Sequence, residues 1–251
     1  MPNFQDAKEL DAKARTVRDM FGAIARRYDF LNHFLSANLD RRWRKICVRE
    51  IEKRLAISCP RILDLGCGTA DLSLVFSRLG PVTGCDFSHP MLCLGVKKVA
   101  KSAVRHPVCL LEADALTLPF ADDAFDIVVS AFVLRNLSDI DRGFGEMKRV
   151  LRPGGIVGVL DFGMPRRPFP AGLYHRYFTK VLPKVGRLIS GVEGAYSYLP
   201  DSVQTFPGVE ELKKKAEQTG FKNVEYRRLT FGIAVLLVGE SDNRTRSQES
   251  E

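Results

Sequence analysis

The stretch RILDLGCGTADLSL, Arg61 to Leu74, narrows the fold more than any other. A short apolar run carrying one acid ends in two glycines, and a second apolar run follows at helical spacing. A strand that passes through a glycine turn into a helix is the first unit of a parallel sheet, because parallel neighbours need a crossover and the crossover is usually a helix. The rhythm repeats downstream in VTGCD, VCLLEAD, FDIVVSAF and GIVGVLDF, short apolar runs with longer segments between them. The chain therefore reads as α/β, a mostly parallel sheet with helices on both faces.

Both ends depart from that rhythm. From Val17, the residues Met20, Phe21, Ile24, Tyr28, Leu31 and Leu35 recur every three to four positions, which predicts an amphipathic helix or helix pair. A charged helix containing Trp43 follows to about Leu55. After Asp161 a proline-rich break leads into LYHRYFTKVLPKVGRLIS, with no acid between Asp161 and Glu193. GVEELKKKAEQTG then predicts a helix closed by Gly220, and NVEYRRLTFGIAVLLVG two strands around a tight turn at Phe231-Gly232. The expectation is one domain over residues 1–251: N-terminal helices over 1–60, a core over 61–164, a substrate or lid insertion over 165–205, a helix and hairpin over 206–240, and a disordered tail over 241–251.

Charge and cysteine content set outer bounds. The net charge of +8 suits an anionic partner or a merely soluble basic surface, and charge alone favours the second. The six cysteines form no C-x-x-C pair and have no histidine cluster to complete a zinc site, so they read as free thiols in a reducing compartment, with no metal expected. The first residues are too charged for a signal peptide, and the longest apolar run is about half of what a bilayer crossing needs. A cytoplasmic protein, or one held at the surface of a membrane's inner face, is expected.

The glycine turn carries the chemistry. Gly66 and Gly68 allow a tight turn and a close approach of ligand to backbone, a property shared by many nucleotide binders. A dinucleotide fingerprint needs a third glycine where this chain has Asp71, and it aims helix amides at a pyrophosphate. Asp64, two residues before the first glycine, would repel a pyrophosphate and favour a cationic ammonium or sulfonium. Asp86 ends VTGCD twenty residues past Gly66, where an acid can accept from two ribose hydroxyls. Together these imply a phosphate-free, cationic nucleoside.

At this point the sequence resembles the class I S-adenosylmethionine-dependent methyltransferases, with their Rossmann-like, mostly parallel seven-stranded sheet and terminal antiparallel hairpin. EADALTLPFADDAFDIVVS resembles that class's third and fourth strands and VLRPGG the turn before its fifth. The resemblance implies S-adenosyl-L-methionine as cofactor, with Thr69 on its amino-acid carboxylate side, Asp114 and Ala115 at the adenine, and Ser130 nearby on the fourth strand. YDFLNHFLSANLDRRW resembles the amino-terminal signature of the quinone-biosynthesis C-methyltransferases, matching at Tyr28, Asp29, Asn32, Ser36 and Trp43. Asp40 stands where many members carry histidine, and Leu31 where they carry methionine. FVLRNLSD resembles the family's loop after the fourth strand, and the similarity covers roughly residues 15–240.

That family methylates a ring carbon of a polyprenyl quinol in menaquinone or ubiquinone biosynthesis, and demethylmenaquinol is the expected acceptor. A quinone is electron-poor, whereas a hydroquinone carbon becomes nucleophilic as a neighbouring hydroxyl loses its proton. Arg135 can stabilise the phenolate as a fixed cation and is a poor base, Asn136 can orient a hydroxyl or water, and Tyr28 can bond the second ring oxygen. A surface ion pair, a helix cap and core packing are the respective plain readings. A bilayer substrate implies peripheral membrane contact, for which the basic and aromatic segment from Pro165 to Ser190 is the candidate, with an ordinary solvated helix as its counterpart. Oligomeric state is open, with room for a homodimer. Rival readings are a methyltransferase for another small molecule or for RNA, a nicotinamide oxidoreductase, and a cofactor-binding scaffold without turnover. The chain lacks the N-P-P-[YF] and Pro-Cys motifs of RNA base chemistry, so no nucleic acid is expected.

Overall fold

The computed structural model describes residues 38–163, 202–203 and 205–242, and before them Gly22, Ala25, Asp29, His33 and Ser36. Most of the helix expected from Val17, with Tyr28 and Asn32, lies outside these residues, as do the segment from Pro165 to Ser190 and the tail after Asp242.

Seven strands form one sheet: β1 (Ile62–Leu65), β2 (Val82–Asp86), β3 (Val108–Glu112), β4 (Phe125–Ala131), β5 (Leu151–Phe162), β6 (Phe221–Leu229) and β7 (Ala234–Ser241). Their order is β3-β2-β1-β4-β5-β7-β6. The first five strands are parallel, whereas β7 runs antiparallel to both β5 and β6. The hairpin thus inserts its second strand between β5 and β6, turning at the short helical Thr230–Gly232. The parallel core with a terminal hairpin is as expected from the sequence.

Among the described residues five bounded α-helices cover the sheet: α1 (Leu39–Glu52), α2 (Asp71–Phe76), α3 (His89–Lys101), α4 (Ile140–Val150) and α5 (Val209–Gln218). All four residues of β1 are buried, which is why ILDL shows no alternation: a central parallel strand is covered on both faces. Trp43, Cys47, Val48 and Ile51 of α1 pack with Ile62, Ile127 and Val129 on one face of the sheet. On the other, Phe144, Met147 and Val150 of α4 and Leu212 and Ala216 of α5 pack on Leu63, Leu65 and Val157. These spacings put each apolar set on one helix face. α4 opens on Asp139, whose carboxylate accepts from the Arg142 amide at 2.9 Å.

Two boundaries differ from expectation. α1 ends at Glu52, three residues earlier than the charged pattern implied. β5 begins at Leu151, opposite Phe125, and the register resumes only at Ile156 opposite Ile127. The intervening RPGG, with Gly154 at φ 70°, bulges out of a strand that pairs on both sides of it.

Candidate functional site

The carboxyl ends of β1, β2, β4 and β5 converge on the turn from Gly66 to Ala70, the usual ligand position at a reversal of strand order. Three residues of the turn are left-handed: Gly66 at φ 69°, Gly68 at φ 54° and Ala70 at φ 70°. The amides of Gly66 and Cys67 both donate to the Cys85 carbonyl, at 2.8 and 2.9 Å, tying the turn to β2. A Cβ on Gly66 would fall 2.3 Å from Val133 Cγ2, so this glycine lets the turn lie against the loop after β4.

Two acids brace the turn. Asp86 accepts from the Gly68 amide at 2.8 Å through one oxygen and from the Ser88 amide at 2.9 Å through the other. Burial pushes its carboxyl up, against the pull of these amides. Asp64 lies beneath the turn, fully buried, and accepts from the Ser73 hydroxyl at 2.5 Å. Burial raises its pKa to about 7, with the Ser73 bond and the Arg44 charge acting the other way.

The remaining cofactor candidates are placed as follows. The Thr69 hydroxyl donates to the Asp29 carboxylate and accepts from the Lys98 ammonium. Asp114, exposed just past β3, accepts from the Leu116 amide at 2.8 Å, and Ala115 packs partly against the core. Ser130 is buried on β4 with its hydroxyl on the Leu65 carbonyl at 2.9 Å. Asp64, Gly66, Gly68, Thr69, Asp86 and Ser130 thus gather at the first turn and its flanking strands, while Asp114 and Ala115 lie one strand away.

Across from the turn, Phe132 follows β4 at φ 64°, a rare conformation for a bulky residue. It presents its carbonyl to Arg135 Nη1 at 2.6 Å and to Asn136 Nδ2 at 3.2 Å. Arg135 is buried, pairs with Asp161 at 2.9 Å and lies 5.1 Å over the Phe162 ring. Its Nε has no hydrogen-bond partner among the described residues. Asp161, fully buried at the end of β5, also accepts from the Phe162 amide at 2.8 Å. Its carboxyl is raised by burial and opposed by the Arg135 charge. Behind Phe162 opens a cavity of about 270 Å³, lined by Val203, Phe206, Val209 and Val235 and by the ion pair of Arg228 with Glu210.

Phe132, Asp161, Ser73 and Lys98 carry no role in the reading of the sequence. Asp161 alone had a local signal, an acid at the carboxyl end of an apolar strand. Among the described residues His33, Asp40 and Asp71 come close enough to surround a metal ion, but Arg44 pairs with Asp40 and stands 3.8 Å from Asp71. A guanidinium there makes the group an ion-pair cluster.

The arrangement fits a phosphate-free cationic nucleoside. Left-handed glycines open the backbone to close approach, Asp64 and Asp86 are acids, and Lys98 is already held by Asp29 and Asp71 and so is not offered to a pyrophosphate.

Comparison with known proteins bears on the same region. The pattern defining the ubiE/COQ5 methyltransferase family matches residues 8–240. The chain is 46% identical over 224 residues to the demethylmenaquinone methyltransferase of Thermus thermophilus, covering 88% of this chain and 99% of that one. It is 43% identical over 236 residues to the ubiquinone/menaquinone biosynthesis C-methyltransferase UbiE of Geotalea daltonii, covering 92% and 99%. Among solved structures, the [4+2]-cyclase SpnF superposes with a TM-score of 0.64 at 17% identity, over 90% of this chain and 95% of that one. The Haemonchus contortus phosphoethanolamine N-methyltransferase 2 in complex with S-adenosyl-L-methionine superposes with a TM-score of 0.57 at 18% identity, over 78% and 52%. At such identities these structures speak for the fold alone.

Proposed function

The chain belongs to the ubiE/COQ5 methyltransferase family, and from that premise we propose that it methylates a ring carbon of demethylmenaquinol, giving menaquinol. It is an S-adenosyl-L-methionine-dependent C-methyltransferase of menaquinone or ubiquinone biosynthesis. The naphthoquinol ring and the residue roles below are the finer part of the reading.

The observation that carries it is the contact between the two halves of the site. Gly66 of the turn lies against Val133, two residues before the buried Arg135, so a cofactor on the turn and a ring beside Arg135 would be neighbours. When bound, the cofactor supplies an electrophilic methyl on sulfur. Gly66, Gly68 and Thr69 would hold its amino-acid end, with Asp64 favouring the positive charge from beneath, Asp86 at the ribose, Asp114 and Ala115 at the adenine, and Ser130 on the adjoining strand. Arg135 would stabilise the phenolate of the acceptor: it is a fixed cation in a dry setting, oriented by Asp161 and the Phe132 carbonyl, with Nε left to donate. Once the ring carbon carried the methyl, its proton would pass to a water at this site and the ring would regain its aromaticity. Asn136, held on the Phe132 carbonyl, would orient that water or the hydroxyl, and Tyr28 would bond the second ring oxygen.

The polyprenyl tail needs apolar wall to lie on, and the cavity behind Phe162, apolar at Val203, Phe206, Val209 and Val235 and charged at Arg228 and Glu210, would take its first part next to the Arg135 site. Such a tail also brings the enzyme to a membrane surface. Among the described residues no helix is long and apolar enough to cross a membrane. Flotation with anionic vesicles checks the membrane contact, and protein left wholly in the soluble fraction removes it.

The deciding assay is transfer of labelled methyl to a short-chain prenyl naphthoquinol and its benzoquinol counterpart, each reduced and oxidised. Label on the ring carbon of the reduced naphthoquinol is expected. Preference for the benzoquinol would move the substrate to ubiquinone synthesis, and label on neither ring would sink the quinol acceptor.

A further inference from the structure

Lys98 lies on α3, facing the cofactor turn. Three residues earlier, Gly95 gives the helix its close approach: a Cβ there would stand 3.3 Å from the Thr69 carbonyl carbon and 3.4 Å from the Gly68 oxygen. Residues three apart share a helix face, so the ammonium of Lys98 lands on the same turn. It donates to the Thr69 hydroxyl at 3.0 Å and to the Asp71 carboxylate at 2.8 Å, and it pairs with Asp29. Asp29 accepts from the Thr69 hydroxyl as well.

The contacts extend along the N-terminal residues. Asp29 and His33 are four apart and both helical, so they share a face. His33 reaches Asp40 at 2.7 Å and Asp71 at 3.6 Å, and Arg44 joins the same two carboxylates. Three acids and two permanent cations therefore interlock the N-terminal helix, the start of α1, the start of α2 and the inner face of α3. Lys98 and Asp29 pair with each other and both meet the Thr69 hydroxyl, closing a three-membered contact on the cofactor turn.

We propose that Lys98 is a positioning residue for the methyl transfer: its ammonium fastens Asp29 to the Thr69 hydroxyl of the cofactor turn and to Asp71 at the start of α2, so that the turn is held in the form that binds the cofactor. The inference rests on the reading that this turn holds the cofactor. Lys98 acts through Thr69 and Asp29, and it takes no part in the bond changes. Two consequences are specific to this arrangement. Cofactor retention depends on a network of partly buried ion pairs, so it weakens with ionic strength. Removing the ammonium removes binding common to ground and transition states, so KM for the cofactor rises while kcat is kept.

The test measures cofactor affinity by calorimetry, together with kcat and KM on a reduced prenyl naphthoquinol, for the whole chain and its Lys98→Met, Lys98→Arg and Asp29→Asn variants. Lys98→Met is expected to raise the cofactor Kd and KM about five- to tenfold, with kcat within about twofold, and to flatten the salt dependence. Lys98→Arg should recover most of the affinity, and Asp29→Asn should weaken binding in the same direction while leaving Lys98 on Thr69 and Asp71. Unchanged affinity in Lys98→Met, loss of kcat at constant KM, or tighter binding in Asp29→Asn would overturn the proposal. Failure of the unmutated chain to bind the cofactor would instead overturn the reading of the turn.

Discussion

Protonation of Asp64 links the stability of the fold to the affinity of its turn. The group's ordinary value is near 3.8 and burial raises it to about 7 in the folded chain. For an acid raised in this way, the folded state binds protons more tightly than the unfolded one, so its contribution is fully present below pH 3.8 and is lost as pH climbs toward 7. The melting temperature of the cofactor-free protein should therefore fall, relative to Asp64→Asn, between pH 4 and 7 and run parallel above about pH 8. A cationic ligand favours the ionised form, so affinity for S-adenosyl-L-methionine should rise over the same interval and level off. Calorimetry across that range checks it: an equal slope in Asp64→Asn would remove Asp64 from cofactor binding. Arg135 calls for a gentler substitution than truncation, because Arg135→Ala would leave Asp161 buried without its cation, at about 3–5 kcal/mol. Arg135→Lys keeps the charge and loses the fork. Turnover should drop by about a hundredfold with cofactor Kd nearly unchanged, and a proportional loss of cofactor binding would place Arg135 at the cofactor instead.

The elements show what the sequence could state and what it could not. The strand–turn–helix rhythm was plain because a parallel strand covered on both faces becomes an unbroken apolar run, as in ILDL and FDIVVSA. The terminal hairpin was equally plain from its turn residues, but the insertion of β7 between β5 and β6 depends on pairing across the sheet, which local pattern does not encode. β5 was misjudged at its start for a related reason: RPGG carries turn residues, and only the pairing of Leu151 with Phe125 keeps it inside the strand. The glycine turn offers a direct check. Gly66→Ala introduces a methyl 2.3 Å from Val133 at a positive φ, so it should cost at least about 2 kcal/mol and weaken cofactor binding sharply. Denaturant unfolding measures the first, and a wild-type midpoint would show that the turn has room to move. At the other end of the site Trp43 donates to Thr230 Oγ1 at 2.8 Å, joining α1 to the hairpin turn. Trp43→Phe should lower stability by about 1–2 kcal/mol, part of it from the lost bond and part from the smaller ring.

Across the whole molecule, the site was half legible. Residues within one motif, from Asp64 to Asp86, could be read because their spacing along the chain is their spacing in the site. The pairing of Asp161 with Arg135 could not, since the acid comes from β5, 26 positions later in the chain. The role of Asp29 stayed hidden for the same reason, its partners Thr69 and Lys98 lying on the turn and on α3. The cavity behind Phe162 is likewise assembled from distant pieces, β5, β7 and the start of α5. If it houses the first part of a prenyl tail, Val209→Phe should raise KM several-fold for a long-tailed naphthoquinol and leave a tail-less analogue unaffected. Equal KM changes for both would put the tail elsewhere.

The position of β7 has a consequence during synthesis. β5 meets β4 on one side and β7 on the other, and β6 pairs with β7 alone among the described strands. A growing chain delivers β6 first, so it emerges from the ribosome with nowhere to dock, while β5 waits with one row of amides and carbonyls unpaired. Only when Ala234–Ser241 is free can both gaps close together. Until then the nascent protein carries two open edges of the kind that recruit other chains. Among the described strands, the last to be made is the one that ends this exposure.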